Sequence, residues 1–126
     1  MRPDILDRFA TWLSPFLAES GDDTVAFLFN LYEHEDSFAV QIAGASRFDS
    51  LDASWTDSGT FTSGENLFEL SHAVTGHQWE SALISAKKLI AYHLQYGQHR
   101  SRLHEARAVV VGFVDGDLET VHETGT

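Results

Sequence analysis

The run AVVVGFVDGDLETVH, Ala108 to His122, carries the clearest local signal in the chain. Ala108 to Val114 is rich in β-branched and aromatic residues, Asp115-Gly116 is a turn dipeptide, and Asp117 to His122 resumes a strand-like pattern. Asp-Gly between two such runs predicts a β-hairpin with a two-residue primed turn, because residues tolerant of positive φ match the twist of the flanking strands. That turn would set Val114 against Asp117, Phe113 against Leu118, Val111 against Thr120 and Val110 against Val121. A second hairpin reads upstream. Val25, Phe27, Phe29 and Leu31 alternate with Ala26, Leu28, Asn30 and Tyr32, and Phe38, Val40 and Ile42 alternate again beyond the polar turn from Glu33 to Ser37. Its first strand is apolar on both faces, as a central strand should be, whereas the second shows Gln41 and small alanines on its other face.

Outside the hairpins, Ile5, Phe9, Trp12, Leu13 and Phe16 recur at helical spacing between Pro3 and Ser20, so this segment is an amphipathic helix. Pro15 either kinks it or opens a second piece capped by Ser14. Thr75 with Gln78 three residues on has the form of a capping box opening the longest helix, which runs to about Tyr96 before Gly97. Its core stripe would be Trp79, Leu83, Ala86, Ile90 and Leu94. Residues 49 to 65, rich in Ser, Thr, Asp and Gly, read as a loop with room for one short strand, and Leu67 to Leu70 as another. The expected architecture is one α+β domain over residues 1–126: an antiparallel sheet of four to five strands with two helices packed on one face.

Composition narrows the function. The 126 residues include no cysteine, which excludes disulfides, thiolate metal sites and a thiol nucleophile. No apolar run is long enough for a membrane span and the start lacks a leader's apolar stretch, so a cytoplasmic protein is expected. The formal charge is −11, and residues 19–80 hold twelve acids against Arg47 alone, while residues 81–107 sum to +4. Nucleic acid and anionic membranes are poor partners for such a chain, and a cationic protein is its natural complement.

No catalytic motif accompanies this charge. Of the seven histidines, none forms an i, i+4 pair on a predicted helix, and no His-Glu-x-x-His occurs. His93, beside Ile90 and Leu94, reads as a hydrogen-bonded core histidine. Asp115-Gly116-Asp117 lacks the later ligands of a calcium loop. Glu33-His34-Glu35-Asp36 gathers three carboxylates at a hairpin tip, where it could meet a basic surface. Phosphate loops, dinucleotide fingerprints and Gly-x-Ser-x-Gly are missing. Trp55 and Phe61, isolated in the acidic loop, either plug the open face of the sheet or anchor an interface.

The hairpin from Val109 to Leu118, the helix opening at Trp79-Glu80 and the acidic Trp55 loop together resemble immunity proteins of bacterial polymorphic-toxin systems. The resemblance is architectural, and implies a cytoplasmic inhibitor, without catalysis or cofactor, that occludes a cognate basic toxin domain, often a nuclease. The expected contact residues are Asp22, Asp23, Glu33, Glu35, Asp36, Asp49, Asp52, Trp55, Asp57, Phe61 and Glu65. Two other readings are a homodimeric assembly module and a small metal-dependent hydrolase built from residues gathered in space.

Overall fold

The computed structural model describes residues 2–124. At its centre lies β1 (Ala26–Glu33), whose odd residues Phe27, Phe29 and Leu31 and even residues Ala26 and Leu28 are all buried. On one side it pairs antiparallel with β2 (Ser37–Ala45), from Ala26 opposite Ala45 to Glu33 opposite Phe38. On the other it pairs parallel with β5 (Ala108–Phe113), which is followed by β6 (Glu119–Glu123) at the edge. Two short strands share the outer side of β2: β3 (Gly59–Thr62) pairs with its Ala43–Ala45 end, and β4 (Phe68–Ser71) with Ser37–Val40.

The α+β class is therefore borne out, with six strands among the described residues and a mixed sheet in place of an antiparallel one of four to five. The parallel pair follows from the crossover. The chain leaves β4 beside the tip of the first hairpin, and α3 (Trp79–Tyr96), 18 residues and about 27 Å long, carries it back to where β1 begins. It re-enters through α4 (Arg100–Glu105), a one-and-a-half-turn helix outside the sequence reading, and Arg107 N–H donates to Val25 O at 2.7 Å as β5 starts.

Both long helices cover the same face, as expected. The first, α1 (Pro3–Glu19), buries Ile5, Phe9, Leu13 and Leu17, and α3 buries Ala82, Ala86, Leu89, Ile90 and His93, all against Phe29, Ile42, Val109 and Val111. Pro15 lies inside one continuous helix, and Ser14 does not cap a second piece: its hydroxyl donates to Ala10 O at 2.6 Å.

Two local expectations are corrected. Thr75 closes the short α2 (His72–Thr75), where Ser71 Oγ accepts from Ala73 N–H, and its own hydroxyl donates to Gly76 O at 2.7 Å. Gly76, at φ 77°, then breaks the chain before α3, so no capping box forms and Trp79 becomes the first helical residue. In the last hairpin, Ala108 faces Glu123 in the expected register, but a bulge shifts Val110 to Thr120 and Val111 to Glu119. The tight turn sits one step earlier, Gly116 N–H donating to Phe113 O at 2.9 Å, and neither Asp115 nor Gly116 has positive φ. The cause is close approach: a Cβ on Gly112 would lie 2.5 Å from Asp117 O, so the returning chain crosses Gly112 where the expected register would have strand residues pair across it.

Candidate functional site

The acidic residues singled out in the sequence are exposed, but the sheet sends them to two ends. Asp22 and Asp23 precede β1, and Asp49, Asp52 and Asp57 follow β2, so these five gather at one pole, tied by the 2.6 Å hydrogen bond between Thr24 Oγ1 and Thr60 Oγ1. Glu33, Glu35 and Asp36 lie at the other pole, across the eight residues of β1, about 26 Å away at ~3.3 Å per residue. Glu65 stands apart in the turn between β3 and β4. No single surface holds them all.

Few of these charges are neutralised internally. Among the described residues, the basic 81–107 stretch reaches an acid twice: Lys87 Nζ is 3.0 Å from Glu119, and Arg102 is 3.9 Å from the fully exposed Asp22. At the tip, His34 lies 3.6 Å from Glu69, and Ser37 Oγ donates to the same carboxylate at 2.5 Å. Arg47, alone among the acids of its segment, donates to Ser54 O at 3.0 Å. Asp52 accepts from Ser54 N–H at 3.0 Å and opens the 3₁₀ turn Ala53–Asp57. That backbone bond, with lesser help from the Ser54 side chain and Arg47, holds its carboxyl below the ordinary carboxylate value.

The two aromatic candidates turn out to be structural. Trp55 is only 2% exposed. Its indole meets Phe48 edge-on at 5.2 Å and fills the face of the sheet opposite the helices, over Ala26, Leu28, Ala45, Ala108 and Val110. Of its two sequence readings the plug is the one observed, and its place among the expected contact residues is corrected. Phe61, half-buried, sits edge-on to Phe27 at 6.2 Å and occupies the space a side chain at Gly44 would need.

The exposed tryptophan is Trp79 instead. Placed by sequence in the core stripe, it starts α3 beyond the end of the sheet and remains 53% exposed, its ring perpendicular to Phe113 at 6.1 Å. It forms one wall of a cleft of about 770 Å³ with Leu31, Tyr32, Leu83, Phe113 and Val114, rimmed by Glu33, Asp115, Asp117 and Glu119. Among the described residues its lining carries four acids and no base. Sequence reasoning missed it because Glu33 and Asp115 become neighbours only through the parallel pairing of β1 with β5, which closes with Val114 N–H donating to Leu31 O at 3.2 Å.

His93 is 2% exposed, with Nε2 3.0 Å from Gln98 O, and burial pushes its imidazole below the ordinary value. The core reading of this residue holds. The rings of His72 and His77 approach to 4.4 Å, yet among the described residues no group of three or more His, Asp or Glu is placed to hold a metal ion. No described helix is long and apolar enough to cross a membrane. Comparison of the chain with protein-family profiles, curated proteins and solved structures found no match.

Proposed function

We propose that this chain is a non-enzymatic binding protein that captures a cationic protein through its acidic poles. The single observation that carries this reading is electrostatic: among the described residues, the carboxylates of residues 19–80 are exposed and Arg102 is the only Lys or Arg within ion-pair distance of any of them. Fixed, unneutralised charge of one sign raises encounter rates with an opposite partner, on the order of 10⁸ M⁻¹s⁻¹ at low salt. In the specific form suggested by the immunity-protein resemblance, the partner is a basic toxin domain in the cytoplasm, and binding occludes it.

Affinity capture from the source organism, followed by titration of the purified captured protein, tests this. The expected partner is basic, its association rate falls steeply with salt, and reversing Asp49, Asp52 and Asp57 to lysine weakens capture of that partner while the fold survives. Recovery of no basic partner, or a salt-independent association, would sink the proposal. One observation favours a second reading, the homodimeric module: Ile84, Tyr92 and Tyr96 on α3 are 53%, 45% and 61% exposed, and the two tyrosine rings lie 4.9 Å apart. Light scattering separates the two, since a dimer through this stripe would persist at high salt.

A further inference from the structure

We infer that the Trp79 cleft is the socket for an arginine side chain of the protein partner, an assignment that rests on the cationic-partner reading and gives it a place. The cleft combines two features, an apolar wall and an acidic mouth. Its walls, Trp79, Leu83 and Phe113, suit the apolar stem of a long basic side chain, which gains by lying along hydrocarbon while its charged head stays at the mouth. Its mouth bears Glu33, Asp115 and Asp117 with no lysine or arginine among the lining residues, so the charge facing an entering cation is predominantly negative.

The choice of arginine follows from the aromatic. The half-exposed Trp79 ring offers a π-face, and a planar, weakly hydrated guanidinium stacks on such a face and still forks to a carboxylate. An ammonium is more strongly hydrated and offers no plane to stack. Lys87 holds only Glu119, at 3.0 Å, and among the described residues the other three rim carboxylates have no ion pair. At about 770 Å³ the space also admits residues flanking the arginine, which suits a loop of a protein better than a free ion.

The test is a titration of the ¹⁵N-labelled full chain with an acetylated, amidated Gly-Ala-Arg-Ala-Gly peptide, its lysine counterpart and its neutral citrulline counterpart. The expected result is saturable shifts at the Trp79 indole N–H and the amides of Phe113 to Glu119, about fivefold weaker for lysine and lost for citrulline. Trp79→Ala and the double change Asp115→Asn with Asp117→Asn should each weaken arginine binding by roughly fivefold or more. The double variant keeps the side-chain volumes, so it stands even if Trp79→Ala perturbs the helix start. Equal shifts with citrulline, shifts confined to Asp22 and residues 49–57, or no shift at all would overturn the socket. Failure of the socket is distinct from failure of the broader reading: a captured basic protein that binds Trp79→Ala at full strength removes the socket alone, whereas capture of no basic protein removes both.

Discussion

The two faces of the sheet are closed by different means. On one, α1 and α3 lay a continuous layer over β1, β2 and β5, and Phe9, Leu13, Phe29, Ile42 and Ile90 are at most 2% exposed. On the other, the strands present Ala26, Ala45 and Ala108 around Leu28 and Val110, and the space left by these small residues is filled by Trp55, dropped from the 3₁₀ turn. Further along that face, a polar cluster takes over: Asn30 and Tyr32 both donate to Gln41 Oε1, and Gln41 Nε2 donates to Gly64 O. The first face is closed by many contacts spread along two helices, the second chiefly by one indole with Phe48 and Leu118 at its margin. The difference bears on function. Trp55, its neighbour Phe48 and a few hydrogen bonds fasten the acidic loop, while Asp49 and Asp57 form no ion pair among the described residues and stay open to a partner.

The largest effect that could break this comparison comes from truncating each face in turn. Phe29→Ala empties the middle of the helix face and should cost about 3–5 kcal/mol, read as an earlier but still single urea transition. Trp55→Ala should cost about 3 kcal/mol or less, because the loop it holds can detach while the helices stay packed. Amide hydrogen exchange shows where the loss falls: for Trp55→Ala, protection should drop between about residues 46 and 60 and persist in α1 and α3. If protection falls equally in α1 and α3, the two faces form one cooperative unit and the contrast is wrong.

A glycine on each side sharpens it further. Gly97 lies under the His93 ring, so a Cβ there collides with the imidazole, and Gly97→Ala should destabilise by roughly 1–3 kcal/mol through overpacking. At Gly59, beside the loop, an added Cβ meets nothing nearer than Gly44 O at 3.9 Å, and φ is not positive. Gly59→Ala should stay within about 0.5 kcal/mol of the parent. Thermal unfolding of the pair decides the matter, and equal losses would mean the loop side is packed as tightly as the helix side.

The helix face was legible in the sequence, because apolar residues three and four apart and alternating strands report burial directly: α1, β1, β2 and the body of α3 all follow from it. What stayed hidden depends on contacts between distant segments. The parallel seam of β1 and β5 was not legible, since strand order is set by where α3 returns the chain and not by either strand's own pattern. Gly112 looked like an ordinary strand residue, although its missing Cβ admits Asp117 and shifts the hairpin. Trp79 was misplaced, and Trp55 was left between two roles. The indole in a polar loop found a floor of alanines, and the one at helical spacing ran past the end of the sheet, where nothing covers it. Of the candidate site, the charges were readable by composition, but their division between two poles was not.

The smallest effects are those of acid, and they separate the faces by pH window. His93 sits on the helix face, edge-on to Phe9 at 6.2 Å, and burial outweighs its bond to Gln98 O in lowering its affinity for a proton. The unfolded chain takes up that proton near pH 6.5, whereas the folded chain does so only at lower pH. Between the two values the unfolded state binds more protons, so stability is full above about pH 6.5 and declines as pH falls below it. Asp52, on the loop side, also titrates below its ordinary value, near 3.8, so its contribution is complete above that pH and fades only as pH falls further. Acidification from pH 7 to 5 should therefore weaken the helix face through His93 while leaving the capped turn that carries Trp55 unaffected by Asp52. Urea midpoints measured from about pH 7 down to about pH 3 test it with two substitutions: His93→Gln, which can still donate to Gln98 O, should flatten the decline, and Asp52→Asn should change the profile only below about pH 4. An unaltered slope in His93→Gln would show that the buried imidazole is not the group through which acid reaches the helix face.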